Sequence, residues 1–495
     1  MTSLNSSLYI GLTGIRTSRI GLNVTGNNIA NVNTEGYSRQ RPDTVLKGTV
    51  VNEGITVGTG SDITRIQALR DQLANRALTD AETAFRFQDR LAKGLQEMEG
   101  ILADGEGVGI GPALSNFFDG LEKVTQRPND LSSRQELLVL GETLTAELNS
   151  RDRELSREQQ SIDFAIEDSV QEINDLTSRI ANLNSRIASL SKPAEDLIDE
   201  RQKAIDRLGE LVGVEVYEIT NNQVQVNLKG SSQQILVGLQ IRNELGVVNN
   251  PANAGFKDVT LQFGSGSINI TGAIETGELA ANLQLRDVEI QTVKRELDRL
   301  AGGLIVQFNA IHQTGTDLGG NTNLRFFDPG GLGPVPVGTV DPDRYLGLAG
   351  SIRLADDLRT TPGGPLDPSR LALSASGATG DNAVGLQLAA LRNDPNVVDQ
   401  DLDGDPSNDP NRTFEQFFNS ITADLGSATR SAEDLAATQD ALLYQAQIRR
   451  DAVSGVELNE EAANLTQYQR AFEASSRFLN VINQLTGDII ARLGG

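Results

Sequence analysis

The sequence predicts an α+β multidomain protein. Its N- and C-terminal helices form a helical stem, a coiled-coil-like bundle, and β-rich subdomains are inserted between them. Three observations predict this fold. Apolar residues recur every seven positions at both ends, a longer seam of the same spacing fills the centre, and two sections alternate like strands. Because each terminal seam needs another helix against it, the simplest arrangement packs the two ends on one another.

Composition excludes several classes of function. The 495 residues are 38% apolar and 4% aromatic, enough for several packed domains. There is no Cys and one His, so thiolate and multi-His metal sites are excluded, and His312 is expected to be a polar residue at a helix end. A net charge of −24 argues against nucleic acid or an anionic membrane surface as partner.

Targeting signals are weak in this sequence. No stretch approaches the ~20 apolar residues of a membrane span, so no membrane insertion is expected. No basic leader precedes an apolar run at the N-terminus, so no cleaved secretory signal is predicted. Composition alone therefore favours a cytoplasmic protein, although an uncleaved export signal leaves no trace in composition.

The N-terminal helix is amphipathic but interrupted by glycine. Leu8, Ile15, Leu22 and Ile29 recur at intervals of seven. Each internal glycine costs the isolated helix up to about 1 kcal/mol relative to Ala, so this helix needs a partner surface. An extended section from about residue 45 to 66 follows, and helical pattern resumes near Gln67 and runs to a Gly-rich loop at 105–112.

The central helix has the strongest periodicity in the chain, and it predicts a long bundle or coiled coil. A second helix, EDLIDERQKAIDRLGELVG, follows it. The two columns of its seam are Ile166, Ile173, Ile180 and Ile187, and Ile162, Leu176, Leu183 and Leu190.

Two β-hairpins are predicted after the central helices. VEVYEITNNQVQVNL alternates around Asn221-Asn222, and DVTLQFGSGSINI alternates around Gly-Ser-Gly. A helix from Gly277 to about His312, a Gly- and Pro-rich section, and helix again from Phe414 to Ile490 complete the chain. The predicted segments are 1–66 (N-terminal axial helix and loop), 67–212 (helical core), 213–276 (β-rich insert), 277–313 (core helix), 314–413 (loop and β-rich outer insert) and 414–495 (C-terminal helical core and axial helix).

The C-terminal helix mirrors the N-terminal one, with one column at intervals of seven and a second beside it. Both seams are predicted to form the assembly interface. Its residues are Leu8, Ile15, Leu22, Ile29, Leu458, Leu465, Tyr468, Phe472, Leu479, Ile482 and Ile489.

One acidic segment resembles part of a calcium loop. Asp399, Asp401 and Asp403, followed by Gly404, match the first half of the EF-hand pattern, but Pro410 stands where the closing Glu belongs. The segment 399–409 is thus either a calcium site or a solvated acidic turn. The first alternative would suit a calcium-stabilised extracellular binding module. No catalytic set is found, because a Ser-His-Asp site would have to use the single His without a nucleophile motif, so neither an enzyme nor a cofactor is predicted.

Two terminal motifs carry a resemblance to a known family. GNNIANVNTEGYSRQ and SGVELNEEAANLTQYQRAFEASSRFLNVINQL resemble the paired motifs of flagellar rod, hook and hook-associated axial proteins. The middle, including EDLIDERQKAIDRLGELVGVEVYE, resembles the hook-associated branch, and a rod or hook protein is the alternative. The motif residues are Gly26, Asn27, Asn28, Ile29, Ala30, Asn31, Asn33, Gly36, Tyr37 and Ser38.

The resemblance implies a function. It implies type III export of an unfolded chain with an uncleaved signal, and self-assembly into a ring at the distal end of the hook, outside the cell. It implies as partners the flagellar hook protein, a second hook-associated junction protein, and a flagellar export chaperone at the C-terminus. The terminal helices would line an inner tube, and they would order only when neighbouring copies pack against them.

Overall fold

The structure is a computed structural model that describes residues 2–34, 36–52, 55–190, 194–230, 234–239, 241–264, 266–332, 345–398 and 411–493. Most of these residues are helical, and the strands form small antiparallel sheets. The predicted fold class is confirmed, because long N- and C-terminal helices pack together and β-rich sections lie between them.

Helices dominate the described part of the chain, and the longest of them lies at its centre. They are, in chain order, α1 (Thr2–Ala30), α2 (Gln72–Leu102), α3 (Ile110–Gln126), α4 (Leu131–Ser189), α5 (Glu195–Leu211), α6 (Glu278–Gln284), α7 (Ile290–His312), α8 (Leu348–Ser351), α9 (Ala383–Ala390), α10 (Phe414–Ser454) and α11 (Leu458–Leu493).

The strands pair in antiparallel ladders. β1 pairs with β4 and β2 with β3, so the described residues 40–52 and 55–68 form a ribbon; β5–β6–β7 and β8–β9–β10 are three-stranded sheets, and β11 pairs with β12. The strands are β1 (Gln40–Leu46), β2 (Thr49–Asn52), β3 (Ile55–Gly58), β4 (Ser61–Ala68), β5 (Val214–Glu218), β6 (Val224–Leu228), β7 (Ile235–Val237), β8 (Glu244–Asn249), β9 (Lys257–Phe263), β10 (Gly266–Asn269), β11 (Phe327–Asp328) and β12 (Arg353–Leu354).

The central helix α4 is the backbone of the core. It begins after Asp130, whose carboxylate accepts the N–H groups of Ser132 and Ser133 and so caps the helix. The predicted seam lies in the C-terminal half of α4, which packs against α5 and the sheets that contain β6 and β8. Of its residues, Ile162, Ile166, Ile173, Ile180, Leu183 and Ile187 are buried, Leu176 is partly buried, and Leu190, just beyond the helix, is exposed.

Both predicted hairpins are confirmed. In the first, Val216 opposes Val226, and the turn contains Asn221 and Asn222, both with φ +57°. Asparagine tolerates this left-handed conformation better than most residues, which explains the Asn-Asn pair. In the second hairpin Leu261 opposes Ile268. Each hairpin gains a third strand, β7 or β8, that the sequence pattern did not predict.

Two predicted helix boundaries are wrong. The helix expected near Gln67 begins only at Gln72, because β4 continues through Ala68, which pairs with Gln40. The helix expected from Phe414 to Ile490 is broken after Ser454, where Gly455 has an extended backbone, and α11 begins at Leu458.

The helix predicted from Gly277 to His312 contains a π-helical turn between α6 and α7, at Leu285–Glu289. A π turn adds a residue and changes which side chains face inward. The Arg286 side chain is fully buried there and donates to Asp163 (2.8 Å), Asp287 (2.7 Å) and the Lys257 carbonyl (2.8 Å). This arginine therefore joins α4 to sheet β8–β10.

The end of α7 lies in an aromatic core. The rings of Phe117 and Phe308 are 5.3 Å apart, and Phe326 and Phe327 pack beside them. His312 is the last residue of α7 and is fully buried against Phe326. Its Nδ1–H donates to the Leu324 carbonyl (2.6 Å) and its Nε2 accepts the Ala372 N–H (3.0 Å), which fixes a neutral tautomer. Burial lowers the pKa of His312 to about 4.

The section from residue 314 to 413 is less irregular than its composition predicts. Its described part contains α8, α9 and the β11–β12 pair. Leu371 and Leu373 are fully buried, so this section completes the core around α7.

Candidate assembly surface

The helices α1 and α11 pair in antiparallel fashion and form the predicted stem. Gly14 lies against Ser475 and Gly21 against Tyr468, so the two helices run in opposite directions. A Cβ at Gly21 would stand 2.5 Å from the Tyr468 ring, far inside van der Waals contact. The glycines that weaken α1 in isolation therefore give α11 room to approach.

The predicted interface residues divide into two groups. Most face into the stem or lie at its edge, so part of their apolar surface is already buried within the chain. Leu8, Ile15, Leu22, Ile29, Leu465, Tyr468, Phe472 and Leu479 are partly buried, Ile482 is buried, and Leu458 and Ile489 are exposed. Their contact with other copies stays a prediction.

A second set of apolar residues, which we call the outer stripe, is exposed along the stem. Residues Phe478, Val481, Leu485 and Ile489 are spaced three and four apart, so they share one face of α11. Exposed apolar patches of this kind mark interaction sites. The predicted columns contain only Ile489 of this set. Its residues are Tyr9, Leu12, Phe478, Val481, Leu485, Ile489 and Ile490, each between 40% and 65% exposed.

The N-terminal motif forms a polar junction where α1 ends. Asn28 is buried and pairs with the backbone of Gln40 in both directions: its Nδ2 donates to the Gln40 carbonyl (2.8 Å) and its Oδ1 accepts the Gln40 N–H (3.0 Å). The Tyr37 hydroxyl also donates to Asn28 Oδ1 (2.9 Å). Burial, together with nearby carboxylates, raises the pKa of Tyr37 to about 12. The motif thus ties the end of α1 to β1.

Other motif residues shape the turn between α1 and β1. Asn31 donates from its backbone and its side chain to the Asn27 carbonyl (3.1 and 2.9 Å) and closes the helix end. Gly36 has φ +70°, and a Cβ there would lie 2.7 Å from Lys203. Gly26 differs, because nothing lies within 4 Å of the place a Cβ would take. The remaining motif residues Ala30 and Asn33 are exposed, Ile29 is partly buried and Ser38 is buried.

Three consecutive residues after this turn alternate between two neighbours, as an extended chain requires. Ser38 donates to Asp199 of α5 from its N–H (3.0 Å) and its hydroxyl (2.8 Å). Gln40 donates to Asp196 of α5 (2.9 Å). Arg39 points the other way, toward α11.

Arg39 connects the motif to the start of α11. Its guanidinium lies 2.7 Å from carboxylate oxygens of both Glu460 and Glu461. The backbone N–H of Arg39 donates to the Ser454 carbonyl (2.9 Å). Hydrogen bonds to these carboxylates raise the pKa of Arg39. Glu461 is almost fully buried. We call residues 31–34, 36–40 and 454–461 the elbow, because the stem meets the rest of the chain there.

An open cleft of about 770 Å³ lies beside the elbow. Lys203 and Asp206 of α5 and Arg450 of α10 line it, together with the motif turn. Burial raises the pKa of Asp206.

The described residues show no other candidate site. Among them no group of three or more His, Cys, Asp or Glu side chains could hold a metal ion. The predicted calcium ligands Asp399, Asp401 and Asp403 lie outside the described residues. In the part of the chain that the structure describes, no helix is long and apolar enough to cross a membrane.

Comparison with protein families gives three matches. The model of the flagella basal body rod protein matches residues 8–37, and that of the flagellar basal body rod FlgEFG protein C-terminal matches 451–492. The model of the flagellar hook-associated protein FlgK helical domain matches residues 95–327. The stem and elbow together with the helical core thus define an axial structural protein of the flagellum.

Individual relatives narrow this class. Flagellar hook-associated protein 1 of Bacillus subtilis (strain 168) is 25% identical, and the match covers 100% of this chain and 99% of that protein. The proteins of the same name from Salmonella typhimurium and Escherichia coli K12 are 24% and 22% identical over 97% and 98% of this chain, and over 99% and 100% of their own lengths. The chain belongs to the family of flagellar hook-associated protein 1.

A solved structure has the same fold. The flagellar hook junction protein FlgK from Burkholderia pseudomallei matches with a TM-score of 0.62 and 18% identity, over 77% of this chain and 100% of that one. At this identity the match concerns the fold alone.

Proposed function

We propose that this chain is a structural subunit of the bacterial flagellum that polymerises at the distal end of the hook and forms the hook–filament junction. The observation that carries this proposal is the stem: two terminal helices that pack together and still expose an apolar outer stripe. Family membership supports the place of assembly. The family is one of structural proteins, and a structural role requires only complementary surfaces between neighbouring subunits.

The outer stripe is the surface through which stems of neighbouring copies pack in a ring. Leu485 and Ile490 are 48% and 65% exposed, and each would bury apolar surface against the next stem. Burial of apolar surface contributes about 25 cal/mol per Å². The predicted edge residues Leu458 and Ile489 would take part in the same contact.

The finer steps follow from the family and are part of the proposal. The chain is exported unfolded through the flagellar type III apparatus with an uncleaved signal, and it functions outside the cell. The hook protein lies below it and a second hook-associated junction protein above it. An export chaperone covers the C-terminal helix α11 before secretion, because that helix exposes apolar side chains until assembly.

Electron microscopy of a deletion strain tests the function. Cells that lack this protein should make hooks of normal length without filaments, and added purified protein should restore filament growth. Cells without hooks would instead favour the alternative, a rod or hook protein. Normal filaments without this protein would refute a junction role.

The second alternative, a calcium-stabilised binding module, has a separate test. Equilibrium dialysis with calcium would compare the wild-type chain with Asp401→Ala/Asp403→Ala. Failure of the wild-type protein to bind calcium in the millimolar range would remove that alternative.

A further inference from the structure

The elbow is more than a place where helices end, because its polar contacts come from one short stretch that faces two ways. Ser38 and Gln40 bind carboxylates of α5, which belongs to the core, and Arg39 binds carboxylates of α11, which belongs to the stem. Arg70, just after the ribbon, adds a bond to Asp199 (2.7 Å). Core and stem are thus held to one polar strip from opposite sides.

On the stem side, Asn28 of α1 binds the backbone of Gln40, and Arg39 supplies the side-chain contacts to α11. Neither helix of the stem continues into the core: α1 ends at Ala30, and residues 455–457 separate α11 from α10. No continuous helix therefore fixes the angle between α10 and α11. The backbone N–H of Arg39, which donates to the Ser454 carbonyl, and the side-chain ion pairs of Arg39 with Glu460 and Glu461 cross this break, and only the ion pairs depend on the arginine side chain.

Because Glu461 is buried, its contact with Arg39 restricts the position of α11. The Glu461 side chain is 2% exposed and that of Arg39 16%, whereas Glu460 is 52% exposed. A buried carboxylate that loses its cation is strongly destabilised, so Glu461 can remain buried only where Arg39 reaches it. A second position of α11 would leave that charge without a partner, unless Glu461 reached water.

We infer that Arg39 is the positioning residue that sets the orientation of the stem relative to the core, through Glu461 and Glu460. This inference rests on the proposed function, since orientation matters for a subunit whose stem must meet those of its neighbours. The cleft beside the elbow is the space into which the chain moves when the bond is absent.

Distance measurement by pulsed electron paramagnetic resonance tests the inference. The chain has no Cys, so Ser185→Cys on α4 and Ala463→Cys on α11, both exposed, can carry the only spin labels. Labelled protein is diluted into unlabelled wild-type protein and assembled on isolated hooks, so that distances within one copy dominate. Arg39→Gln is compared with Arg39→Lys and with Arg65→Gln, an exposed ion-pair arginine of the ribbon.

The expected wild-type result is one narrow distance distribution. Arg39→Gln should broaden or shift it, Arg39→Lys should lie between the two because it keeps the charge, and Arg65→Gln should match the wild type. Exclusion of Arg39→Gln from mixed assemblies, with normal entry of Arg65→Gln and unchanged unfolding of the core, also supports the inference. An Arg39→Gln copy that assembles with the wild-type distribution overturns it. That outcome leaves the junction function intact, since wild-type capping of hooks tests the function separately.

Discussion

Two glycines of α1 have opposite surroundings and therefore predict opposite effects of the same substitution. Gly21 lies against Tyr468 of α11, with 2.5 Å between its hypothetical Cβ and the ring. Gly26 has open space at that place. Gly21→Ala and Gly26→Ala are thus a matched pair, because each adds one methyl group to the same helix and only one of them meets α11.

The expected magnitudes follow from two terms. Replacing glycine by alanine inside a helix stabilises the helix by about 1 kcal/mol. An overpacked contact costs about 1–3 kcal/mol, and at Gly21 the overlap with a normal carbon contact is about 1 Å. Gly26→Ala should therefore stabilise α1, whereas Gly21→Ala should weaken the α1–α11 pair by up to about 2 kcal/mol, which corresponds to at most roughly thirtyfold in the equilibrium for pairing.

The assay combines helicity and assembly. Circular dichroism of an α1 peptide should show more helix for both variants, because both remove a glycine. Capping of isolated hooks, scored by filament growth after addition of the remaining components, should fall for Gly21→Ala and stay normal for Gly26→Ala. Equal loss in both variants would refute the packing argument and would mean that flexibility of α1 is what assembly requires.

Three further predictions concern the stem and the core. Leu465→Asp or Phe472→Asp should abolish hook capping with little change in core melting, since an unpaired charge in the apolar seam between α1 and α11 costs several kcal/mol and opens the stem; a variant that still supports filament attachment would show that assembly does not require the intact seam. Arg286→Met should lower the free energy of unfolding of the core by about 2–4 kcal/mol in urea, because Asp163 and Asp287 lose a buried cation, and an unchanged midpoint would contradict this. His312 has its pKa lowered from 6.5 to about 4 by burial, so the unfolded chain binds its proton first and stability should fall as pH drops from about 6.5 to 4, by up to about 3 kcal/mol in total; His312→Gln should remove that part of the pH dependence.

Strict periodicity made the helical parts of the fold predictable. In α4, Ile166, Ile173 and Ile180 keep one spacing for several turns, and a packed helix is the one structure that buries all three. The Asn221-Asn222 turn was predictable because few residue pairs tolerate its backbone.

Other features were hidden because their cause is tertiary. From the sequence alone Arg286 would be placed on the surface. Its burial is explained by the π turn and by its three partners, which are two carboxylates and one carbonyl. Ala68 continues a strand because Gln40 pairs with it, although the local pattern favours helix. Leu371 is fully buried although no local periodicity predicts it.

The candidate site was predicted in part. The two seams predicted the stem, whereas they included only Ile489 of the outer stripe. The alternation of Ser38, Arg39 and Gln40 between two helices could not be foreseen, since their partners are more than 100 residues away.

The most direct test of this account compares hydrogen exchange of backbone amides in the free protein with that in protein assembled on hooks. The stem should exchange fast in solution and slowly once copies surround it, while α4 stays protected in both states. Equal, strong protection of residues 4–29 and 458–489 in both states would show that the terminal helices need no neighbours, and would contradict the account.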